Sequence, residues 1–217
     1  MRTTRYLIGS LLVATVVSAP ASAQRASDFD NSWFWGVKTG VATFSPTLGG
    51  SETSLTYGAE WLVTRSRGGL YVSFDEANVS TVSAVVDPNT SAGFRQVAVD
   101  RMHRVGFAAL AFPKRFGALR PYAGLGISVA VLGGARPIVE SADESVDDAV
   151  FQRINDRKSQ ANFLGMGGVQ FEMHKLAIFA QASFVPSSSS FLLGDKSLGF
   201  FEGGVRYNFG GAREGIR

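Results

Sequence analysis

Few residues in this sequence have side chains suited to catalysis or metal binding. The chain has two histidines and no cysteine. His103 follows Asp100 closely, and a histidine beside a carboxylate can transfer protons. No serine stands at a spacing diagnostic of a nucleophilic site, and His174 lies in a short segment next to Lys175. Two histidines without cysteine also argue against a transition-metal cluster. We therefore predict no enzyme, no cofactor and no metal site.

A second group of charged residues has a different character, because its members recur within otherwise apolar segments. They are Lys38, Glu60, Asp75, Arg104, Glu172, Glu202 and Arg206. Cations and acids are nearly equal in number, so these side chains could pair if the fold brings them to one place. Whether it does so depends on the elements that carry them.

The first 23 residues have the organisation of a secretory signal peptide. Arg2 and Arg5 form a positive start, 6–17 is mostly apolar, and Ala21-Ser-Ala23 is a small-residue cleavage site. The apolar stretch is shorter than the roughly 20 residues that a membrane-spanning helix needs. We predict that 1–23 is removed, that 24–210 forms one domain, and that 211–217 is a short periplasmic tail.

Composition narrows the class of the mature chain. Charged residues make up 18%, below the roughly 25% of average globular proteins, whereas the chain has 25 Gly and 17 Phe. The absence of cysteine excludes a disulfide framework. The formal net charge of +3 includes Arg2 and Arg5 of the signal peptide, so little basic excess remains and no nucleic-acid partner is predicted.

Eight segments of the mature chain alternate apolar and polar residues with a period of two. This period is typical of half-buried strands. The segments are 33–44, 55–64, 70–77, 96–112, 122–132, 160–172, 176–185 and 198–209. Segment 96–112 departs from the pattern near Arg101 and His103, which indicates either a bulge or a strand end that rises above the apolar zone.

Connector lengths alternate along these eight segments. The connectors 65–69, 113–119 and 173–175 are short, whereas 45–54, 78–93, 133–159 and 186–197 are long. An even strand number with short turns at one end and long loops at the other is typical of outer-membrane barrels. We predict an all-β fold, an eight-stranded antiparallel up-and-down transmembrane β-barrel with short periplasmic turns and long extracellular loops.

The polarity of the segments favours a membrane barrel over a soluble one. The apolar face is continuous and aromatic, and the aromatic residues Trp33, Trp35, Trp61, Tyr207 and Phe209 lie near segment ends, where interfacial girdles are expected. The charged group then faces the lumen. An eight-stranded barrel is just wide enough for side chains to fill, so we expect a packed, ion-paired interior, with a small water-filled channel as the alternative.

The connector 133–159 contains a predicted helix. Ser141 and Glu144 have the spacing of a capping box, and Val146, Val150 and Ile154 follow at helical spacing. We predict a short helix in 141–157. The stretch 138–158 is acidic and could bind a surface partner or divalent cations, although its acids lack the spacing of a calcium loop. The alternative is a solvated lid on the barrel mouth.

The short connectors are basic. They carry Arg65, Arg67, Lys114, Arg115 and Lys175 and no acid. Such turns could favour the anionic head groups of the inner leaflet, or they could simply keep exposed turns soluble.

Two motifs carry a family resemblance. The stretch Arg120-Pro-Tyr-Ala-Gly-Leu-Gly126 and the ending Gly204-Val-Arg-Tyr-Asn-Phe209 resemble those of the OmpA/OmpX/OmpW-like superfamily of small outer-membrane β-barrels. The resemblance covers about 24–210. It implies recognition of 199–209 by the barrel-assembly machinery, with Tyr207 and Phe209 as the assembly signal. The family's signal usually ends the protein, whereas here Gly210 to Arg217 follow, a tail too short for a peptidoglycan-binding domain.

The sequence therefore predicts an integral outer-membrane protein with a structural or surface-interaction role. Its predicted partners are the lipid bilayer, the assembly machinery and a surface partner at 138–158. The alternatives are a narrow channel or transporter for small or apolar solutes, and a soluble lipocalin-like carrier.

Overall fold

A computed structural model describes residues 29, 31–139, 144–187, 191–194 and 197–211. Its elements in chain order are β1 Ser32–Phe44, β2 Glu52–Arg65, β3 Gly68–Ala77, β4 Thr81–Val86, β5 Phe94–Val99, β6 Arg101–Ala111, β7 Leu119–Gly133, β8 Arg136–Pro137, α1 Glu144–Arg157, β9 Ser159–Met173, β10 Leu176–Val185 and β11 Leu198–Gly211. The predicted signal peptide lies outside the described residues, and so does the predicted tail 211–217 except for Gly211, which ends β11.

Eight of these strands form a closed antiparallel barrel, which confirms the predicted fold. Its strand order is β1-β11-β10-β9-β7-β6-β3-β2. The last strand closes on the first, with Val37 opposite Val205. Closure leaves no free sheet edge, so the backbone groups of the wall are satisfied within the barrel, as a lipid environment requires.

Alternation of side chains along each strand gives the wall two faces of opposite polarity. In β10, buried and exposed residues alternate without interruption. Ile178 and Phe184 are exposed on the outside, whereas Phe179 and Gln181 are buried inside. A soluble lipocalin-like carrier would need the reverse arrangement, so the exposed apolar wall contradicts that alternative.

Short turns join the strands at one end of the barrel. Two residues, Ser66 and Arg67, connect β2 to β3, and His174 and Lys175 connect β9 to β10. Ser66 and His174 have φ values of 51° and 53°. Such left-handed residues suit two-residue hairpin turns, whose twist matches that of the strands.

The opposite end carries a second sheet that the sequence analysis missed. Strands β4, β5 and β8 form a three-stranded sheet outside the barrel. The connector 78–93 was therefore wrongly predicted as a loop, and segment 96–112 is two strands separated at Asp100. The β4–β5 hairpin continues the β3–β6 hairpin beyond the barrel. It bends where Ser80, with φ of 42°, donates its amide to the Asp100 carbonyl at 3.1 Å.

This sheet, together with α1 and the segment 191–194, forms a cap on the barrel mouth. The Ser83 hydroxyl on β4 donates to the Leu192 carbonyl, and Leu192 donates its amide to the Arg157 carbonyl at the end of α1, at 3.2 Å. Because the barrel strands that lead into 191–194 lie across the barrel from β3, these bonds span the mouth. The predicted lid is thus a folded layer.

The cap has an apolar core, which meets the upper end of the barrel. Its buried side chains are Phe44, Val79, Val85, Val97, Val99, Met102, Leu132, Val150, Ile154, Phe191, Leu192, Leu193, Leu198 and Phe200. The predicted helix occurs as α1 and buries Val150 and Ile154 at the expected spacing. Its predicted capping residue Ser141 lies outside the described residues. Among those that are described, no helix is both long and apolar enough to span a membrane.

Candidate functional site

The lumen holds the charged residues singled out in the sequence. Six of the seven are buried inside the barrel: Lys38, Glu60, Asp75, Arg104, Glu202 and Arg206. Each occupies an inward position of a strand whose neighbouring positions point outward. Three cations and three acids share this space, so their formal charges cancel.

Glycines on neighbouring strands make room for these large side chains. Gly58 lies opposite both Lys38 and Asp75 in the register, and a Cβ atom at Gly58 would lie 2.4 Å from the Asp75 carboxylate. Gly36 stands opposite Glu60 and Arg206. Glycines at these positions have no side chain and therefore leave space in the lumen for the ion-paired residues on the neighbouring strands.

Four of the buried charges form a cluster toward the capped end. Lys38 Nζ lies 2.8 Å from Asp75 and 3.0 Å from Glu202. Arg104 lies 2.7 Å from Asp75 and 3.2 Å from Glu202, and its guanidinium stacks over the Phe200 ring at 3.6 Å. Each cation contacts both acids, so none of the four charges is left without an opposite charge.

Arg206 and Glu60 form a second ion pair, closer to the short-turn end. Arg206 Nε donates to Glu60 Oε1, and Arg206 Nη1 donates to Gln170 Oε1 at 2.7 Å. The guanidinium also lies 3.9 Å from the centre of the Phe179 ring. Arg206 is fully buried, so these contacts replace all of its hydration.

Uncharged side chains join the two groups. Tyr71 donates to Glu60 at 3.0 Å and accepts a hydrogen bond from Lys38 at 3.1 Å. Gln181 donates to Glu202 at 3.0 Å and accepts from Tyr122 at 2.9 Å. We name the six charged residues, together with Tyr71, Tyr122, Gln170 and Gln181, the lumen network. Every barrel strand contributes at least one side chain to it.

Glu172, the seventh predicted residue, lies at the short-turn mouth of the barrel. It pairs with Arg120 at 2.7 Å and accepts a hydrogen bond from Gln170 at 3.0 Å, which connects it to the lumen network. The sequence analysis missed Arg120, whose guanidinium stacks on the Phe29 ring at 3.7 Å. The alternation of Arg120 with the outward-facing Leu119 could have identified it, but the strand was predicted to begin only at residue 122.

The lumen network is closely packed around Arg104. The space beside Tyr71, Arg104 and Leu164 has no room for a water molecule, and the apolar core of the cap closes the mouth above it. The described residues therefore form a packed interior, which argues against the alternative of a narrow channel.

The acid–base pair considered for His103 does not form. Asp100 pairs instead with Arg136 at 2.6 Å, and His103 faces Glu76 at 3.8 Å. His103 stands on the outer wall and stacks on Phe74. Among the described residues, no group of three or more His, Asp or Glu side chains is arranged to hold a metal.

Aromatic side chains gather on the outer wall near the short-turn end. The Trp61 ring lies 5.2 Å from Trp33 and 6.3 Å from Trp35, and Tyr207 packs edge-on against Phe209 at 4.9 Å. Because Trp35 is opposite both Trp61 and Tyr207 in the register, the five rings form one patch across three strands, as expected of an interfacial girdle.

Comparison with known proteins supports the fold. No protein-family model matches the sequence, and a search of curated proteins gave no match. Among solved structures, the chain is similar to Neisserial surface protein A (NspA), with a TM-score of 0.57, 13% identity, and coverage of 82% of this chain and 97% of that one. It is also similar to Ail, the attachment invasion locus protein of Yersinia pestis, with a TM-score of 0.51, 11% identity, and coverage of 83% and 99%. The chain thus has the fold of the small eight-stranded outer-membrane β-barrels of the OmpA/OmpX-like type.

Proposed function

We propose that this chain is a non-enzymatic protein of the bacterial outer membrane, exported by the signal peptide 1–23 and inserted as the barrel 24–210. The observation that carries the proposal is the inverted polarity of the wall. Large apolar side chains such as Phe201 and Leu125 are 60% and 62% exposed, whereas Arg206 is fully buried. Water as the outer solvent would penalise this arrangement, whereas a hydrocarbon layer stabilises it.

In this proposal, the cap is the part of the protein that binds a surface partner. Within 138–158, Asp148, Gln152 and Asp156 are exposed. The helix that carries them is held by an ion pair from Asp147 to Arg95 and by a hydrogen bond from Arg153 to the Val86 carbonyl. A rigid acidic helix on a closed barrel presents a fixed surface, so a structural or surface-interaction role fits better than transport. The names of NspA and Ail, a surface protein and an attachment protein, agree with this role.

The strand β11 has a further role in assembly. Tyr207 and Phe209 are exposed on the outer wall, at the end of the strand that closes the barrel. A last strand with outward aromatic residues is suited to recognition of 199–209 by the barrel-assembly machinery before closure. Of the predicted tail 211–217, Gly211 ends β11, and we expect 212–217 to remain in the periplasm as a short tail.

Single-cysteine labelling tests the topology cleanly because the chain has no cysteine of its own. Gln152→Cys lies on α1 and Lys175→Cys in the β9–β10 turn, and both positions are exposed. A membrane-impermeant maleimide should label Gln152→Cys in intact cells and Lys175→Cys only after permeabilisation. The reverse pattern would overturn the proposed orientation.

Fractionation separates the proposal from its alternatives. The protein should stay in the membrane pellet after carbonate extraction and should migrate differently in gels with and without heating, whereas a soluble carrier would do neither. Planar-bilayer recordings should show conductance near zero, and deletion should leave lipid A and phospholipid profiles unchanged. Sustained single-channel currents would instead support the alternative of a narrow channel. An altered lipid profile would support an enzymatic function.

A further inference from the structure

Two basic turns lie side by side at the short-turn end of the barrel. Strand β3 pairs with β6, with Gly68 opposite Ala111, and Phe112 donates its amide to the Arg67 carbonyl at 2.8 Å. The turn between β2 and β3 therefore touches the segment 112–118 that follows β6. This contact brings cations from distant parts of the sequence to one place.

A cavity of about 410 Å³ opens between these turns. Four cations, Arg67, Lys114, Arg115 and Arg120, line it together with the Ser66 hydroxyl and the Phe112 ring. We name it the turn cavity. Guanidinium groups and a hydroxyl are the donors that bind phosphate oxygens, with arginine able to donate two parallel hydrogen bonds.

The cations of the turn cavity outnumber the acids that contact them. Glu172 lies 2.7 Å from Arg120 and 3.6 Å from Arg115, so one acid serves two arginines. Arg67 and Lys114 are exposed and form no ion pair with any residue that the structure describes. The cavity therefore keeps a positive excess that an anion would neutralise.

The same turn carries apolar groups suited to the membrane boundary. Lys114 Nζ lies 5.4 Å from the centre of the Phe116 ring. Phe116 and Leu119 are exposed, and Leu119 is opposite the exposed Phe171 on the outer wall. Lys114 thus lies beside the rim of the exposed apolar wall.

We propose that the turn cavity binds the phosphate group of an anionic phospholipid of the inner leaflet, through Arg67 and Lys114. A phosphate oxyanion is the chemistry that the cavity recognises, and free inorganic phosphate is the other possible source of that chemistry. The site goes beyond a structural or surface-interaction role, because it gives the periplasmic end of the barrel a ligand of its own.

Titration of the full mature chain in zwitterionic detergent micelles tests this proposal. The probes are dihexanoyl phosphatidylglycerol, dihexanoyl phosphatidylcholine and sodium phosphate, with binding followed by calorimetry. The variant Arg67→Gln/Lys114→Gln removes two cations from the cavity. The matched control Arg65→Gln/Lys175→Gln removes two exposed turn cations that do not line it. Heat-modifiable gel mobility shows that each variant is folded.

We expect saturable binding of the phosphatidylglycerol that weakens at least about tenfold in Arg67→Gln/Lys114→Gln and is kept in the control. Binding of the lipid but not of sodium phosphate supports the lipid source. Equally tight binding of sodium phosphate supports the phosphate chemistry and overturns the lipid source. Absence of saturable binding of both anions, or equal weakening in the two variants, would overturn the site.

Discussion

The protein contains two buried regions of opposite polarity. In the barrel lumen, the fully buried Arg206 belongs to a network of ion pairs, and the surrounding wall exposes apolar side chains. In the cap, the fully buried Val97 and Val150 belong to an apolar core, as in a soluble domain. Strand β5 of the cap alternates buried and exposed residues much as the wall strands do, whereas β4 buries three consecutive residues. Under the proposed membrane location the wall faces hydrocarbon and the cap faces water, so the solvent outside each region decides which face is turned inward.

The two regions should also differ in how they respond to mutation. Removing one partner of a buried ion pair leaves an uncompensated charge, which costs about 3–5 kcal/mol, although the pair itself contributes little net stability. An apolar core loses stability in proportion to the contacts removed. We therefore expect the lumen network to contribute little net stability as a whole, whereas the apolar core stabilises the cap directly.

The largest expected effect follows from breaking the Arg206–Glu60 pair. Arg206→Gln should destabilise the folded barrel by about 3–5 kcal/mol, because Glu60 stays buried without its opposite charge. Urea unfolding in micelles, followed by heat-modifiable mobility, measures the loss. The double variant Arg206→Gln/Glu60→Gln should be more stable than the sum of the two single losses predicts. Simple additivity would mean that the two side chains are not coupled.

A charge placed on an exposed apolar residue should separate the wall from the cap. Phe201→Arg on the wall should cost about 2–4 kcal/mol if the position is near the membrane midplane. Phe151→Arg on α1 is the matched change, since Phe151 is also exposed, and it should stay within about 0.5 kcal/mol of the parent. Unfolding in lipid vesicles compares them. Equal losses would show that the two surfaces face the same solvent.

Loss of the Arg95 ion pairs should loosen the cap and leave the barrel intact. Arg95 pairs with the buried Asp87 at 2.9 Å and with Asp147 on α1. Arg95→Gln should weaken the cap by about 1–3 kcal/mol, less than a lumen substitution, because Asp87 still accepts the Asn89 amide at 3.0 Å and Asp147 is only partly buried. The loss should appear as faster trypsin cleavage in α1 with unchanged heat-modifiable mobility. Arg136→Gln is the control, because its pair with Asp100 is exposed and should contribute about 0–1 kcal/mol. If Arg95→Gln also changed the heat-modifiable gel mobility, the cap and the barrel would have to unfold as one unit.

The smallest effect on the folded protein is expected at the end of β11. Phe209→Asp near the interface should change stability by about 0–1 kcal/mol in refolded samples. Its level in the membrane of cells should nevertheless fall, because the change alters the assembly signal, while Phe209→Tyr should accumulate normally. Quantitative blotting of membrane fractions reads out both variants. Normal membrane levels of Phe209→Asp would refute the assembly role.

The barrel could be predicted from the sequence because its wall repeats one rule. Residues such as Phe201 and Glu202 alternate wherever one face meets lipid and the other the lumen. Antiparallel strands place successive connectors at opposite ends of the barrel, and the connectors alternate in length because one end carries the cap. The partners of the charged residues could not be predicted. Lys38 contacts both Asp75 and Glu202, and that choice depends on the register of strands distant in sequence.

The cap was missed for a related physical reason. In β4, Ser83 and Thr81 are buried among apolar neighbours, so its pattern follows neither a lipid-facing wall nor a simple amphipathic strand. The break at Asp100 was hidden because β5 and β6 are continuous in composition. The irregularity at Arg101 and His103 correctly indicated that this segment leaves the apolar zone. The direction of the β4–β5 hairpin beyond that point depends on the bend at Ser80, which the sequence pattern did not reveal.

Quenching of the native tryptophans by brominated lipids tests the inverted polarity most directly. The sequence has three tryptophans, and all three, Trp33, Trp35 and Trp61, cluster on the outer wall near the short-turn rim. In vesicles of phosphatidylcholine brominated along one acyl chain, we expect strong quenching, which is greatest when the bromines lie near the carbonyl end. Fluorescence that brominated lipids leave unchanged, but that aqueous iodide quenches, would contradict a lipid-facing wall.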